Sequence, residues 1–142
     1  MTLKNKSGYY GFLNGFLLKI IRKDNNWYFT TNDKILISNY NFKNDGFSYK
    51  LQISDDKNIN AYRMSIYCFY KDLKFAIENW EGEKILLYAS FDETKIALGY
   101  HPYADPRIEV DIDEIPTIWE ERTSIEGFKF DVEPIFYLKK KE

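Results

Sequence analysis

An alternation of apolar and polar residues with a period of two recurs along this chain and constrains its fold more than any other feature. In Phe47–Ile53 every second residue is apolar, and Ser48, Lys50 and Gln52 lie between them. Successive side chains of a β-strand point to opposite faces of a sheet, so the pattern predicts a strand with one buried and one solvated face. Only five residues are alanine, the best helix former, whereas 12 are Tyr, 11 are Phe and 3 are Trp, which favour strands.

Turn-forming residues divide much of the chain into segments of strand length. The strands predicted from these segments are Phe16–Arg22, Trp27–Thr31, Lys34–Ser38, Phe47–Ile53, Lys84–Ser90, Lys95–Tyr100, Phe128–Asp131 and Ile135–Leu138. Pro116 is placed to open a short helix that runs to Arg122, because proline is tolerated in the first turn of a helix. The sequence therefore predicts a mainly β (β-rich α+β) fold with an antiparallel sheet, sandwich-like or barrel-like, and one or two short helices.

The segment 59–80 admits two interpretations. Its apolar residues recur at steps of three and four, which is the spacing of a helical stripe. However, the run Tyr62–Tyr70 is aromatic and β-prone, and the following residues resemble a hairpin that turns at Glu81-Gly82. We favour strands and leave the helix open.

The length of 142 residues fits one domain, 1–142, that is large enough to bury a core without metal or disulfide crosslinks. Cys68 is the only cysteine, so no intramolecular disulfide is possible, and a reducing cytoplasm is the expected compartment. Within its aromatic run, Cys68 is expected to be a small buried apolar residue. The apolar segment Tyr9–Ile21 is too short to span a bilayer, so no membrane association is expected.

An acidic segment, residues 105–126, carries eight carboxylates and two arginines, a net charge of −6 in a chain whose total is −2. At its centre Ile108, Val110 and Ile112 alternate with acidic residues, which predicts a strand with its carboxylates on the solvated face. The three acidic residues are Glu109, Asp111 and Asp113. Like charges at this spacing repel one another, so they weaken the fold unless a cationic group lies opposite them.

The second half of the acidic segment has the composition of a protein interface. Trp119 is followed by Glu120, Glu121 and Arg122, which together offer an aromatic anchor, an arginine and a charged rim. Acidic rims attract basic partners through long-range electrostatic steering. The alternative is that Trp119 is a core residue.

Catalysis by the carboxylates is a second hypothesis, in which a metal-assisted hydrolase uses Asp111, Asp113 and His101. Two carboxylates on one strand face are close enough to share a hydrated cation. His101 is the only histidine, and no glycine-rich phosphate loop or paired Cys/His zinc spacing is present in the sequence. We therefore expect no enzymatic activity, no bound metal and no cofactor. A net acidic chain with a pI of about 5.5 is also not expected to bind nucleic acid.

The chain as a whole resembles the bacterial immunity proteins of polymorphic or contact-dependent toxin systems. It is short, aromatic-rich and without a catalytic motif, and it concentrates acidic residues at Glu109, Asp111, Asp113, Glu114, Glu120 and Glu121. The resemblance implies a cytoplasmic inhibitor that covers the cationic active site of a toxin, typically a nuclease, with carboxylates. The partner-binding residues expected on this hypothesis are Glu109, Asp111, Asp113, Glu114, Trp119, Glu120, Glu121 and Arg122.

Overall fold

A computed structural model describes residues 7–54 and 58–140. These residues are mostly β, with antiparallel strand pairs and two short α-helices, so the predicted fold class is confirmed. The chain groups into two compact units. We call Gly8–Arg63 with Thr123–Val132 the N-terminal unit, and Met64–Arg122 with the residues from Glu133 onward the C-terminal unit.

Residues 8–54 of the N-terminal unit form five strands and one helix. They are β1 (Gly8–Leu13), β2 (Phe16–Lys23), β3 (Asn26–Thr31), α1 (Lys34–Asn39), β4 (Lys43–Asn44) and β5 (Tyr49–Gln52). The strands lie in the order β4-β5-β3-β2-β1. Tight two-residue turns join the first three strands, and both turns have two residues with positive φ, Asn14-Gly15 and Asp24-Asn25. Such turns match the right-handed twist of a hairpin, and Gly and Asn adopt positive φ at low cost.

The core of the N-terminal unit lies on one side of this sheet and is entirely apolar. Its buried members are Ile20, Phe29, Phe42, Ile53, Ala61 and Phe128. Residues 59–61 and Lys129 are joined by backbone hydrogen bonds of 3.0 and 3.1 Å, which tie the segment 123–132 to this unit.

The C-terminal unit is built on longer strands. They are β6 (Ala61–Tyr70), which begins in the N-terminal unit, β7 (Leu73–Glu81), β8 (Lys84–Tyr88), β9 (Arg107–Asp111), β10 (Thr117–Ser124) and β11 (Ile135–Lys139), with the helix α2 (Asp92–Ala97) between β8 and β9. The order is β11-β10-β6-β7-β8-β9. The segment 59–80 thus forms strands, and the hairpin of β7 and β8 turns at Gly82 as predicted.

Alternating residues of these strands form the core of the C-terminal unit. Its most deeply buried apolar residues are Cys68, Phe75, Ile85, Leu87, Ala89, Ile115 and Ile118. The prediction that Cys68 is a buried apolar residue is confirmed, and burial raises the pKa of its thiol to about 12. Thr94 on α2 is buried too, and its hydroxyl donates to the carbonyl oxygen of Lys74 at 2.6 Å, which fixes the helix to β7.

Two predicted strands are helices. Lys34–Ser38 lies in α1, because the carboxylate of Asp33 accepts hydrogen bonds from the N–H groups of Ile35 and Leu36 and caps the helix. Lys95–Tyr100 overlaps α2, whose first turn carries acidic residues that suit the positive end of a helix. Asp33, the residue that caps α1, lies just outside the segment Lys34–Ser38 for which the sequence predicts a strand.

Two further predictions in the second half of the chain are wrong. The expected helix from Pro116 to Arg122 is the strand β10, because Ile118 and its neighbours are held between β6 and β11. Phe128–Asp131 forms no strand beyond the isolated parallel bridge between Lys129 and Asn60.

Candidate partner-binding surface

The first half of the acidic segment forms a strand and then a tight turn, instead of one continuous strand. β9 ends at Asp111, and Ile112–Glu114 is a turn of 3₁₀ helix. The N–H of Asp111 donates to the side chain of Glu114 at 3.1 Å, which fixes this turn. The prediction that three carboxylates line one strand face is therefore wrong: Glu109 and Asp111 lie on the strand, and Asp113 lies on the turn.

Lys84 interacts with three of the carboxylates of this segment, those of Asp111, Glu109 and Glu114. It is directly opposite Asp111 in the pairing of β8 with β9, and its ammonium lies 2.6 Å from a carboxylate oxygen of Asp111. This hydrogen bond, together with the nearby charges of Glu109 and Glu114, raises the pKa of Lys84. Lys84 thus neutralises part of the acidic charge of this segment.

A fifth acidic residue, Glu83, which was not predicted, lies with its backbone beside this turn. The carbonyl oxygen of Glu83 accepts the N–H of Ile112 at 2.8 Å, so the β7–β8 turn lies beside the 3₁₀ turn. The sequence feature that could have indicated this residue is the acidic hairpin turn, in which Glu81 and Glu83 flank Gly82. We define the acidic surface as Glu83, Glu109, Asp111, Asp113 and Glu114, with Lys84 among them.

Charge within this surface is incompletely compensated. Five carboxylates and one ammonium give a net charge of −4. Glu109 and Asp113 are exposed and form no ion pair within the described part of the chain. Both are held on backbone that strand pairing or turn hydrogen bonds fix, so their carboxylates are presented to solvent at defined places.

The remaining predicted carboxylates lie on β10 and are engaged within the chain. Glu120 accepts a hydrogen bond from the guanidinium of Arg122 at 2.9 Å, and the side chains of both are more than four-fifths buried. Glu121 lies 3.6 Å from the ammonium of Lys74. Glu120, Glu121 and Arg122 therefore contribute little uncompensated charge to a partner.

Trp119 does not form the exposed aromatic anchor that was predicted. It is only 7% exposed, and its ring lies 5.0 Å from the ring of Phe69 and 6.2 Å from that of Tyr67. Its indole N–H donates to the carboxylate of Glu121 at 3.3 Å. Since burial of a large aromatic ring is favourable, β10 turns Trp119 inward and makes it a core residue, which was the alternative interpretation.

The start of β9 is fixed by a second cluster of charges. The guanidinium of Arg107 bonds the carboxylate of Glu78, lies 3.0 Å from that of Asp105 and stacks over the ring of Tyr88 at 4.7 Å. Hydrogen bonds from Tyr88 and from Arg107 lower the pKa of Asp105. These contacts hold the start of β9, and the ion pair between Lys84 and Asp111 holds its end, where the acidic surface lies.

The residues of the hydrolase hypothesis are not brought into a metal site. His101 lies in the exposed loop before β9, and its Nδ1 accepts the backbone N–H of Tyr103 at 3.1 Å. Asp111 is bound to Lys84. Across residues 7–54 and 58–140, no three His, Cys, Asp or Glu side chains are placed to hold a metal ion.

No protein-family model, curated protein or solved structure matches the chain. In the part of the chain that the structure describes, both α-helices are far shorter than a membrane-spanning helix, and none is long and apolar enough to cross a bilayer.

Proposed function

We propose that this chain is a cytoplasmic immunity protein that binds and neutralises a cationic toxin, of the nuclease type, through its acidic surface. The observation that carries the proposal is the exposed pair Glu109 and Asp113. Their charges are not paired within the described chain, and their backbone positions are fixed.

The uncompensated charge of the acidic surface determines the kind of partner that it can bind. A nuclease active site must attract phosphates, so it is cationic, and a rigid group of carboxylates is complementary to it. The net charge of −4 on the acidic surface raises the rate of encounter with such a site and also repels the protein's own other carboxylates. A basic partner relieves that repulsion.

The binding residues proposed here differ from the sequence-based set. Glu109, Asp113, Glu114 and Glu83 meet the partner directly, and Asp111 binds Lys84. Trp119, Glu120, Glu121 and Arg122 stabilise β10, so they support the unit and lie outside the proposed contact.

A growth assay tests this proposal with two matched charge reversals. The proposal expects the adjacent gene to encode a secreted protein with a basic C-terminal toxin domain. That domain is expressed in bacteria together with the wild-type chain, with Glu109→Lys/Asp113→Lys, or with Glu126→Lys/Asp131→Lys. Both double variants raise the net charge by the same amount, but Glu126 and Asp131 lie on the segment 123–132, outside the acidic surface.

The expected result is survival with the wild-type chain and with Glu126→Lys/Asp131→Lys, and growth arrest with Glu109→Lys/Asp113→Lys. Equal protection by both double variants would contradict the assignment of the surface. Failure of the wild-type chain to protect would contradict the function itself. Circular dichroism and thermal unfolding of the variants exclude loss of folding as the cause.

A further inference from the structure

A cavity of about 410 Å³ lies on the sheet of the N-terminal unit, and three lysines line it. They are Lys23 at the end of β2, Lys43 on β4 and Lys50 on β5. The volume falls within the range of roughly 300–1,000 Å³ that is typical of small-molecule sites. All the lining residues belong to the N-terminal unit, whereas the acidic surface belongs to the C-terminal unit.

Strand pairing places two of these lysines together on the face of the sheet that points away from the core. In β5, Leu51 packs against the apolar core, so its neighbours Lys50 and Gln52 point to the other face. Lys50 lies directly opposite Lys43 on β4, and Gln52 lies directly opposite Tyr28 on β3. Like charges at directly opposite positions destabilise a strand pair, so the two lysines require an anion beside them.

Asp45 supplies a negative charge to only part of this lysine cluster. Its carboxylate bonds the ammonium of Lys50 and lies 3.9 Å from that of Lys23. The N–H groups of Phe47 and Ser48 also donate to it, both at 3.0 Å. The hydrogen bonds from Lys50 and from these N–H groups hold the pKa of Asp45 well below its usual range. The carboxylate is therefore ionised at neutral pH and is committed to two of the three lysines.

The charge of the third lysine is uncompensated. Lys43 is exposed and forms no ion pair within residues 7–54 and 58–140. With Asp24 and Asp45 included, the residues that line the cavity carry one positive charge in excess. A lysine on an edge strand such as β4 can serve only to discourage pairing with another chain. Here three lysines line one cavity, and the side chain of Lys50 is only 14% exposed, which is typical of a binding site for an anion.

We propose that this cavity binds a small phosphate ester, with the phosphate group held by Lys43 and Lys23. A phosphate monoester carries a charge of about −2 at pH 7 and offers strong acceptor oxygens, and lysine binds it as a point charge. The side-chain amides of Asn41 and Gln52 and the hydroxyl of Tyr28 supply neutral donors in the same cavity. A carboxylate has a single charge and would leave more of these donors unused.

Titration of the ¹⁵N-labelled chain with AMP, followed through its amide NMR signals, tests the proposal. Inorganic phosphate and adenosine are the comparison ligands, because each lacks one half of AMP. We expect saturable shifts of signals around the cavity with AMP and with phosphate, and none with adenosine. A short oligothymidine without a terminal phosphate distinguishes a nucleic acid from a small ester, and tighter binding of the oligothymidine than of AMP would contradict the proposal.

Two variants with the same change of charge test the role of the cavity lysines. Lys43→Gln is expected to weaken AMP binding at least about fivefold, because it removes the uncompensated ammonium. Lys129→Gln is the matched control and is expected to leave the affinity unchanged. Lys129 is also an exposed lysine of the N-terminal unit, but it does not line the cavity and follows Phe128 of the core.

Asp45→Asn gives an effect of the opposite sign. It removes the carboxylate that competes for the lysines, while its amide oxygen still accepts the N–H groups of the turn, so AMP binding should become at least about threefold tighter. Shifts that rise linearly without saturation, equal affinity in Lys43→Gln and Lys129→Gln, or weaker binding by Asp45→Asn would overturn the proposal. The amide spectra also show directly whether each variant is folded.

Discussion

The two edges of the sheet in the C-terminal unit meet solvent in opposite ways. β9 alternates charged residues with Ile108 and Val110, whereas the first three residues of β11 are large and apolar. Edge charges discourage pairing with another chain, and apolar edge residues favour it. The carboxylates of β9 therefore have a structural use that requires no partner. Partner binding has to rest on the charges that are not paired within the described residues, that of Glu109 on β9 and that of Asp113 on the turn after it.

The same contrast divides the acidic segment. Around the 3₁₀ turn, the carboxylates of Glu109 and Asp113 are exposed and form no ion pair within the described residues, whereas that of Asp111 is paired with Lys84. On β10, Glu120 is bound to Arg122 and Glu121 accepts the indole N–H of Trp119. The two halves of the acidic segment have similar compositions but different structures. The first half forms a charged surface, and the second forms a strand whose charges are paired within the chain.

The largest expected effect concerns the strand between these regions. We expect Trp119→Ala to lower the free energy of unfolding by about 3–5 kcal/mol, because it removes a buried aromatic side chain and leaves a cavity. Phe136→Ala on the edge should cost less than half as much, since that ring is half exposed. Urea unfolding measures both. Equal costs would show that β10 and β11 do not differ in burial.

Removal of the charges on β9 should make this edge resemble the apolar edge β11. We expect Glu109→Val/Asp111→Val to strengthen self-association at least tenfold, about 1.4 kcal/mol at 25 °C, because the edge becomes apolar. Light scattering over a concentration series measures this. Glu126→Val is the control, since Glu126 is exposed and lies on no strand. Unchanged association in the double variant would mean that charge does not protect β9.

A smaller effect is expected from the ion pair at the end of β9. Asp111→Asn removes the charge that faces Lys84, and both side chains are at least half exposed. Pairs of this exposure contribute little to stability, and salt screens them. Thermal unfolding should show a shift of about 1–3 °C at low salt. Asp113→Asn should show none, and a larger shift for Asp113→Asn would contradict the assigned contacts.

The smallest expected effect is a dependence of stability on pH that comes from Asp105. Tyr88 and Arg107 lower its pKa in the folded state below the unfolded value. A lowered folded pKa adds stability above the unfolded pKa, near 3.9, and this stability is lost as pH falls through the folded pKa. The stability difference between wild type and Asp105→Asn should therefore be present at neutral pH and shrink below about pH 4. A difference that grows on acidification would contradict this.

Much of the fold follows from the sequence because turn-forming residues bound segments of strand length that are rich in β-prone residues. β2, β3, β8 and β11 lie where the pattern places them. The helices were missed because they are six residues long, too short for a helical period to show, and a cap such as Asp33 decides them. Phe47 continues the alternation of β5 but is 96% exposed, because the chain turns before the strand begins.

The candidate surface was only partly predictable. The position of Glu109 and Asp111 on a strand follows from alternation, but the end of that strand depends on the hydrogen bond between Asp111 and the side chain of Glu114. Glu83 joins the surface through a contact with Ile112, far away in the sequence. Trp119 was assigned to the surface by composition, and only the placement of β10 between two strands shows that it is buried.

The central claim is that uncompensated carboxylates on the acidic surface bind a cationic toxin domain. Isothermal titration calorimetry against the basic toxin domain that the proposal expects the adjacent gene to encode tests it directly, at low and at moderate salt. We expect tight binding that salt weakens, and a loss of at least a hundredfold in affinity for Glu109→Lys/Asp113→Lys but less than threefold for Glu126→Lys/Asp131→Lys. Affinity that is indifferent to salt and equal in the two double variants would contradict the claim.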